Sequence, residues 1–534
     1  MSETARGTTV REVTFDLMRA HGMTRIFGNP GSTEIPFLTD LPDDFEYVLG
    51  LHEGAVVGMA SGYALGTGHP AFVNLHTAAG LGNAVNAIGC ARDNRIPLVI
   101  VVGQQDRRQL GLAPFLTGRS LERLAGEHPV WSSTPADPAE VPGAILRAWH
   151  EARLRRGPAL VVVPMGDWDA YLDGGWAGPA APDRLVAGAP PQVPALDELA
   201  ELLDGARRPV IVVGAGTDTA EGWDSTQRLA EQLSCPVWQD AFAYRAGFPQ
   251  DHPLFAGHLP WPRSAIRETL RGHDVVLCLG TPAFRLYLYE PGMIADPGTR
   301  VAVVTDDAEE ALASRCQLAL LASPADVCRS LAERVSRRDS PVVPMARPAP
   351  PSPPDPGSPM QAGHVLAALA DRLPAGALLV EEAPSNRPEL FARVATRTPF
   401  GFLAVANGAL GFGLAGSIGL RMATPDRPIV ALLGDGSSMY SIQALWTAAA
   451  YHVGTVFVVI ANGGYAVMNG LAQDHGGQGP WPALTGLDIA GIAEGMGCAA
   501  IRITGHEELL AVLDDVFTDL ATRTEPLLLD VRVS

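Results

Sequence analysis

Residues 428–437 read PIVALLGDGS, and residues 455–465 read TVFVVIANGGY. Each is an apolar, β-rich run that ends in a polar turn. The first turn is Gly434-Asp435-Gly436-Ser437 and the second is Asn462-Gly463-Gly464. Runs of this length bounded by turn residues read as strands buried on both faces. The intervening SMYSIQALWTAAAYHV reads as a helix. Strand, helix, strand is a right-handed parallel unit, so both turns lie at one edge of one sheet. Asp435 and Asn462 stand 27 residues apart, each at the C-terminal end of a strand. That edge is where open α/β sheets bind ligands.

The same alternation runs outward through the chain. TRIFGNPG, PAFVNLHTAAG, PLVIVVGQQ, PALVVVPMG, RPVIVVGAG, DVVLCLG, RVAVVT, GALLVEEA and PLLLDVRV all read as buried strands followed by turns and amphipathic helices. The expected class is α/β, with three doubly wound parallel-sheet domains. Residues 174–196 are rich in Gly, Pro and Ala, and residues 341–360 are strongly Pro-rich. Such segments act as linkers, the second as an extended spacer. They predict a first domain at 1–175, a Rossmann-like middle domain at 190–340, a linker at 341–358 and a third domain at 359–534.

Composition narrows the chemistry. All 39 basic residues among the 534 are arginine, against 58 acidic residues and a net charge of −19. Without lysine there is neither a Schiff base nor a Walker-type P-loop. The acidic balance argues against nucleic acid or an anionic membrane as the main partner. The six cysteines form no CxxC pair, and no apolar run reaches membrane-span length. A cytoplasmic enzyme acting on small molecules is the expectation.

The glycines of both turns allow close backbone approach and offer N–H groups to phosphate. The Asp435 carboxylate, the Asn462 amide oxygen and the Gly464 carbonyl are the hard oxygen ligands that Mg²⁺, or Ca²⁺, takes. Taken singly, each turn also reads as an ordinary connection. GDGS followed about 27 residues later by an Asn-containing turn resembles the diphosphate and metal motif of thiamine-diphosphate-dependent enzymes. Phe27-Gly28-Asn29-Pro30-Gly31-Ser32, LHEGAVVGMASGYA (51–64) and NLHTAAGLGNAVNAI (74–88) resemble the pyrimidine-binding domain of that superfamily. HDVVLCLGTPAFR, GDGSSMYSIQALWTAA and LDIAGIA carry the resemblance on, nearly end to end, to the benzoylformate decarboxylases within it.

The resemblance implies thiamine diphosphate and Mg²⁺ as cofactors, a homotetramer (a dimer of dimers), and 2-oxo acid and aldehyde substrates. It makes Glu53 the carboxylic acid that shares a proton with the cofactor's pyrimidine. By its residues alone, Glu53 reads equally as a solvated glutamate at a helix N-terminus. Ser32 and His76 become the groups that meet the substrate, although a turn serine and a strand-end histidine are the plainer readings. Asn29, Pro30, Gly31, Ser385, Gly408, Leu410, Gly436, Ser437 and Tyr465 fall where the family holds the cofactor, with Leu410 also readable as core. Asp435, Asn462 and Gly464 become the metal ligands.

Departures sharpen the reading. The family's second active-site histidine falls on Tyr287, whose phenol holds its proton at neutral pH. Ala404 and Leu471 stand where phenylalanines pack around the substrate ring, with Val467 beside them, so the pocket is expected to be reshaped. Carboligation or aldehyde lysis with the same cofactor is the alternative that Tyr287 sustains. An acetolactate-type synthase with FAD, a non-catalytic cofactor binder and a nicotinamide oxidoreductase complete the alternatives. The middle-domain VIVVGAGTDTAEG has GxG but lacks the full GxGxxG, so neither FAD nor NAD is expected there.

Overall fold

A computed structural model describes residues 7–172, 182, 193–242, 244–355 and 357–534. Most of the first linker, 174–196, lies outside the described residues. The chain folds into three six-stranded parallel sheets flanked by helices. The first contains β1 (Arg25–Asn29), β2 (Glu46–Leu49), β3 (Ala71–Leu75), β4 (Leu98–Gln104), β5 (Trp131–Ser133) and β6 (Pro158–Pro164), in spatial order β2-β1-β3-β4-β6-β5. The second contains β7 (Pro209–Val213), β8 (Val237–Gln239), β9 (Phe255–His258), β10 (Val275–Leu279), β11 (Arg300–Thr305) and β12 (Leu318–Leu321), ordered β12-β11-β10-β7-β8-β9. Read from β9, that order is 3-2-1-4-5-6, the Rossmann arrangement.

The third sheet contains β13 (Leu378–Glu382), β14 (Phe402–Leu403), β15 (Ile429–Gly434), β16 (Val456–Ala461), β17 (Ala499–Ile503) and β18 (Leu527–Arg532). Its order, β14-β13-β15-β16-β18-β17, repeats that of the first sheet. The helix expected between β15 and β16 is broken into Asp435–Ser438 and Ala444–Ala450. The Ser437 hydroxyl binds backbone groups of Gly434 and Glu382, a local alternative to an unbroken helix.

The first and third domains share one hydrophobic core. At its centre the helices Glu53–Thr67 and Gly413–Ala423 cross backbone to backbone. A Cβ on Gly62 would stand 1.9 Å from the Gly416 carbonyl oxygen, and one on Gly419 would stand 1.7 Å from that of Met59. Only glycine permits this approach. Residues 341–355 of the Pro-rich segment hold no helix or strand, and they are tied down. The Met345 N–H donates to the Phe255 carbonyl, and Arg347 donates to the carbonyls of Ala392 and Gln250. All six cysteines are free. Among the described residues no helix is long and apolar enough to cross a membrane.

Candidate active site

β1 and β3 are neighbours, so the loops that leave their C-terminal ends meet. One carries Pro30 to Ser32, the other His76. Gly31 lets the His76 ring lie against the loop, because a Cβ there would stand 2.3 Å from the imidazole Nδ1. Ser32 is exposed and the His76 side chain is 16% exposed. Glu53 opens the helix Glu53–Thr67, whose preceding residue His52 accepts the Gly54 N–H. Glu53 is buried, at 7% exposure, and its carboxylate is held from both sides. The Asn29 amide donates to Oε1 at 3.1 Å, and the Asn83 amide donates to Oε2 at 2.9 Å. Asn83 lies on the helix Thr77–Asp93 that His76 begins.

The second group of residues sits on the third sheet. β15 and β16 pair in register from Val430↔Val456 to Gly434↔Ile460, so Asp435 and Asn462 emerge side by side. Asp435 accepts the N–H of Gly436 and of Gly463, each at 2.7 Å. Asn462 Oδ1 accepts the Gly464 N–H at 3.2 Å. A carboxylate and an amide oxygen thus stand on adjacent strand ends beside the Gly464 backbone, a donor set suited to a hard divalent cation. The Tyr465 ring covers Gly436 so closely that a Cβ there would stand 2.5 Å from Cε1. Ser385 Oγ accepts the Val467 N–H at 3.3 Å. An open cavity lined by Asn462, Gly464, Tyr465, Asn469, Gln473 and Trp481 lies over these strand ends.

Glu382, at the end of β13, joins this loop to the segment carrying Gly408 and Leu410. Its carboxylate accepts the N–H groups of Gly411, Phe412 and Gly413 at 2.8, 2.9 and 2.7 Å. Its own carbonyl accepts the Ser437 hydroxyl. Burial pushes the Glu382 carboxyl up to about 7, against the pull of the three N–H donors. On the other side, the Asn86 amide donates to the Leu410 carbonyl at 3.0 Å. Gly408 has φ +72°, a left-handed turn suited to glycine.

The chain matches the N-terminal TPP binding domain of thiamine pyrophosphate enzymes over residues 8–125, the central domain over 196–331 and the C-terminal TPP binding domain over 390–531. The chain belongs to the thiamine pyrophosphate enzymes. It is 39% identical over 508 residues to the benzoylformate decarboxylase of Pseudomonas aeruginosa, covering 95% of this chain and 96% of that protein. The thiamine diphosphate-dependent 4-hydroxybenzoylformate decarboxylase of Rhodococcus jostii RHA1 superposes with a TM-score of 0.92 at 36% identity, covering 98% of this chain and 99% of that one. The benzoylformate decarboxylase of Polynucleobacter necessarius gives 0.92 at 30% identity, covering 98% of both chains.

Within this thiamine pyrophosphate enzyme, the remaining residues named from sequence lie apart. Tyr287 is 57% exposed on the middle domain and packs against the rings of Phe242 and Trp261. Ala404 is buried, its N–H donating to Tyr244 and its carbonyl accepting the Asn94 amide. Val467 is exposed and Leu471 half-buried on the helix Ala466–Asp474. The middle-domain glycines serve chain packing, since a Cβ on Gly216 would stand 2.6 Å from Gly280 Cα. Among the described residues no hydrogen bond links Glu53, Ser32 or His76 to Asp435 or Asn462. Sequence reasoning passed over Glu34, Asn83 and Glu382. For Glu382 a signal existed, because VEE puts charge inside an apolar strand. Asn83 follows His76 by seven residues, two helical turns, on one helix face.

Proposed function

We propose that this enzyme is a thiamine-diphosphate- and Mg²⁺-dependent decarboxylase of an aryl or related 2-oxo acid, releasing CO₂ and an aldehyde. The observation that carries the reading is the pairing of two preformed halves. One is a buried glutamate fixed by two amides. The other is a carboxylate and an amide oxygen on adjacent strand ends. When bound, thiamine diphosphate supplies the nucleophilic carbon and the sink for the electrons of the breaking bond.

The protein's own groups do the rest. Asp435, Asn462 and the Gly464 carbonyl would hold the cation. Glu53 would hold a proton against the pyrimidine ring, with Asn29 and Asn83 keeping its carboxyl aimed. Leu410 would pack against the cofactor, its backbone fixed by Asn86 and Glu382. Ser32 would bind the substrate carboxylate, and His76 would move protons at the carbonyl. Exposed apolar residues flank both halves: Ile35 and Leu51 in the first domain, Tyr440, Val467 and Met468 in the third. They support a site closed between subunits, in an assembly of at least two chains and, by family resemblance, four. A cytoplasmic location fits the same reading.

Carboligation to a 2-hydroxy ketone is the second reading. The observation that favours it is Tyr287, an exposed phenol among aromatic rings at the family's histidine position. One assay tests both. The protein, with thiamine diphosphate and Mg²⁺, is offered a panel of 2-oxo acids while CO₂ and the organic product are measured. Aldehyde is expected; hydroxy ketone alone would favour the second reading. No CO₂ from any acid would refute decarboxylation. Glu53→Gln should lower turnover by about 10²- to 10⁴-fold.

A further inference from the structure

One buried carboxylate in the first domain has the loop, the substrate-facing imidazole and a strand built around it. The Glu34 side chain is completely buried. Its Oε2 accepts the Gly31 N–H at 2.8 Å and lies 2.9 Å from His76 Nδ1. Its Oε1 accepts the Thr33 hydroxyl at 2.6 Å. Gly103 of β4 makes space for it, because a Cβ there would stand 1.9 Å from Oε1. Burying a carboxylate is costly unless donors surround it, and here three do.

The protons follow from this geometry. An ionised carboxylate only accepts hydrogen bonds. The Thr33 hydroxyl, 3.0 Å from His76 Nδ1, gives its single proton to Glu34. Nδ1 is therefore the protonated nitrogen and donates to Glu34. His76 precedes its helix without a side-chain cap bond. Among the described residues Nε2 takes no hydrogen bond. A buried carboxylate that orients an imidazole through Nδ1 leaves Nε2 bare and aimed.

We propose that Glu34 is a positioning residue for the reaction: it fixes His76 as the Nδ1–H tautomer and points a bare Nε2 at the 2-oxo acid. This rests on the reading of His76 as substrate-facing. Nε2 then takes up one proton at the reacting centre and returns it later in the cycle, so the imidazole ends each turnover neutral.

Two measurements test it on the full chain with thiamine diphosphate and Mg²⁺. In ¹⁵N-histidine-labelled protein, with His76 assigned by its loss in His76→Ala, Nδ1 should be protonated and Nε2 bare at neutral pH. The opposite tautomer would overturn the proposal with no variant of Glu34 needed. A double-mutant cycle then reads kcat. Glu34→Gln should lower it about 10- to 100-fold in the native background, a range set by residues that orient other functional ligands. In the His76→Ala background the same change should alter kcat less than about twofold. Equal losses in both backgrounds would overturn the proposal alone. Intact turnover in His76→Ala would bring down the reading of His76, and the proposal with it.

Discussion

Glu382→Gln isolates one titration. The wild-type carboxyl is buried beneath Gly411 to Gly413 and pushed from an ordinary 4.5 to about 7, with burial as the main cause. The native chain therefore keeps this proton at pH values where the unfolded chain has lost it. The stability Glu382 contributes is full below about 4.5 and is lost as pH rises through about 7. A shift of this size corresponds to about 3 kcal/mol. Glutamine fills the same volume and does not titrate. The stability advantage of wild type over the variant should thus shrink by about 2.5 kcal/mol between pH 5 and pH 8, part of the full loss having already occurred below pH 5. Urea unfolding at both pH values, followed by tryptophan fluorescence, measures the two gaps. A gap that stays constant or widens with pH would mean the three N–H donors outweigh burial, and the reasoning would fail.

Other perturbations follow from the same geometry. Gly62→Ala drives a methyl into the Gly416 carbonyl and must part the two crossing helices, costing about 3 kcal/mol; a thermal shift equivalent to less than 1 kcal/mol would refute that crossing. His258 is half-buried and stacked on Phe391 with ring centroids 4.0 Å apart, and desolvation of its ring pushes it down to about 3. Its contribution is full above about 6.5 and falls by about 1.4 kcal/mol per pH unit below that, so His258→Gln should flatten the acid limb of stability against pH. Asp435→Asn, whose amide cannot accept at both ends, should weaken Mg²⁺-dependent thiamine diphosphate binding at least tenfold in calorimetry; unchanged affinity would remove Asp435 from the metal site.

Eleven strands were legible as apolar runs: β1, β3, β4, β6, β7, β10, β11, β13, β15, β16 and β18. Almost all of their residues are buried, which is why composition alone betrays them. The other seven are sheet edges or, like β8, stand next to one. β5, β12 and β17 are half-exposed, and β14 has two residues, so no continuous run marks them. The site divided the same way. Glu53, Asp435 and Asn462 stand in short local motifs, and a motif is readable without a fold. Glu34 reaches His76 across 42 residues, and Glu382 reaches Phe412 across 30.

By itself the sequence determined the class and the central strands, and it singled out Glu53, Asp435 and Asn462 as candidates for cofactor and metal, because burial on two faces and turn chemistry are local constraints. Tertiary structure alone decided which carboxylates are held and by what. A buried charge is tolerated only where donors from distant segments converge on it, and that convergence is a property of packing.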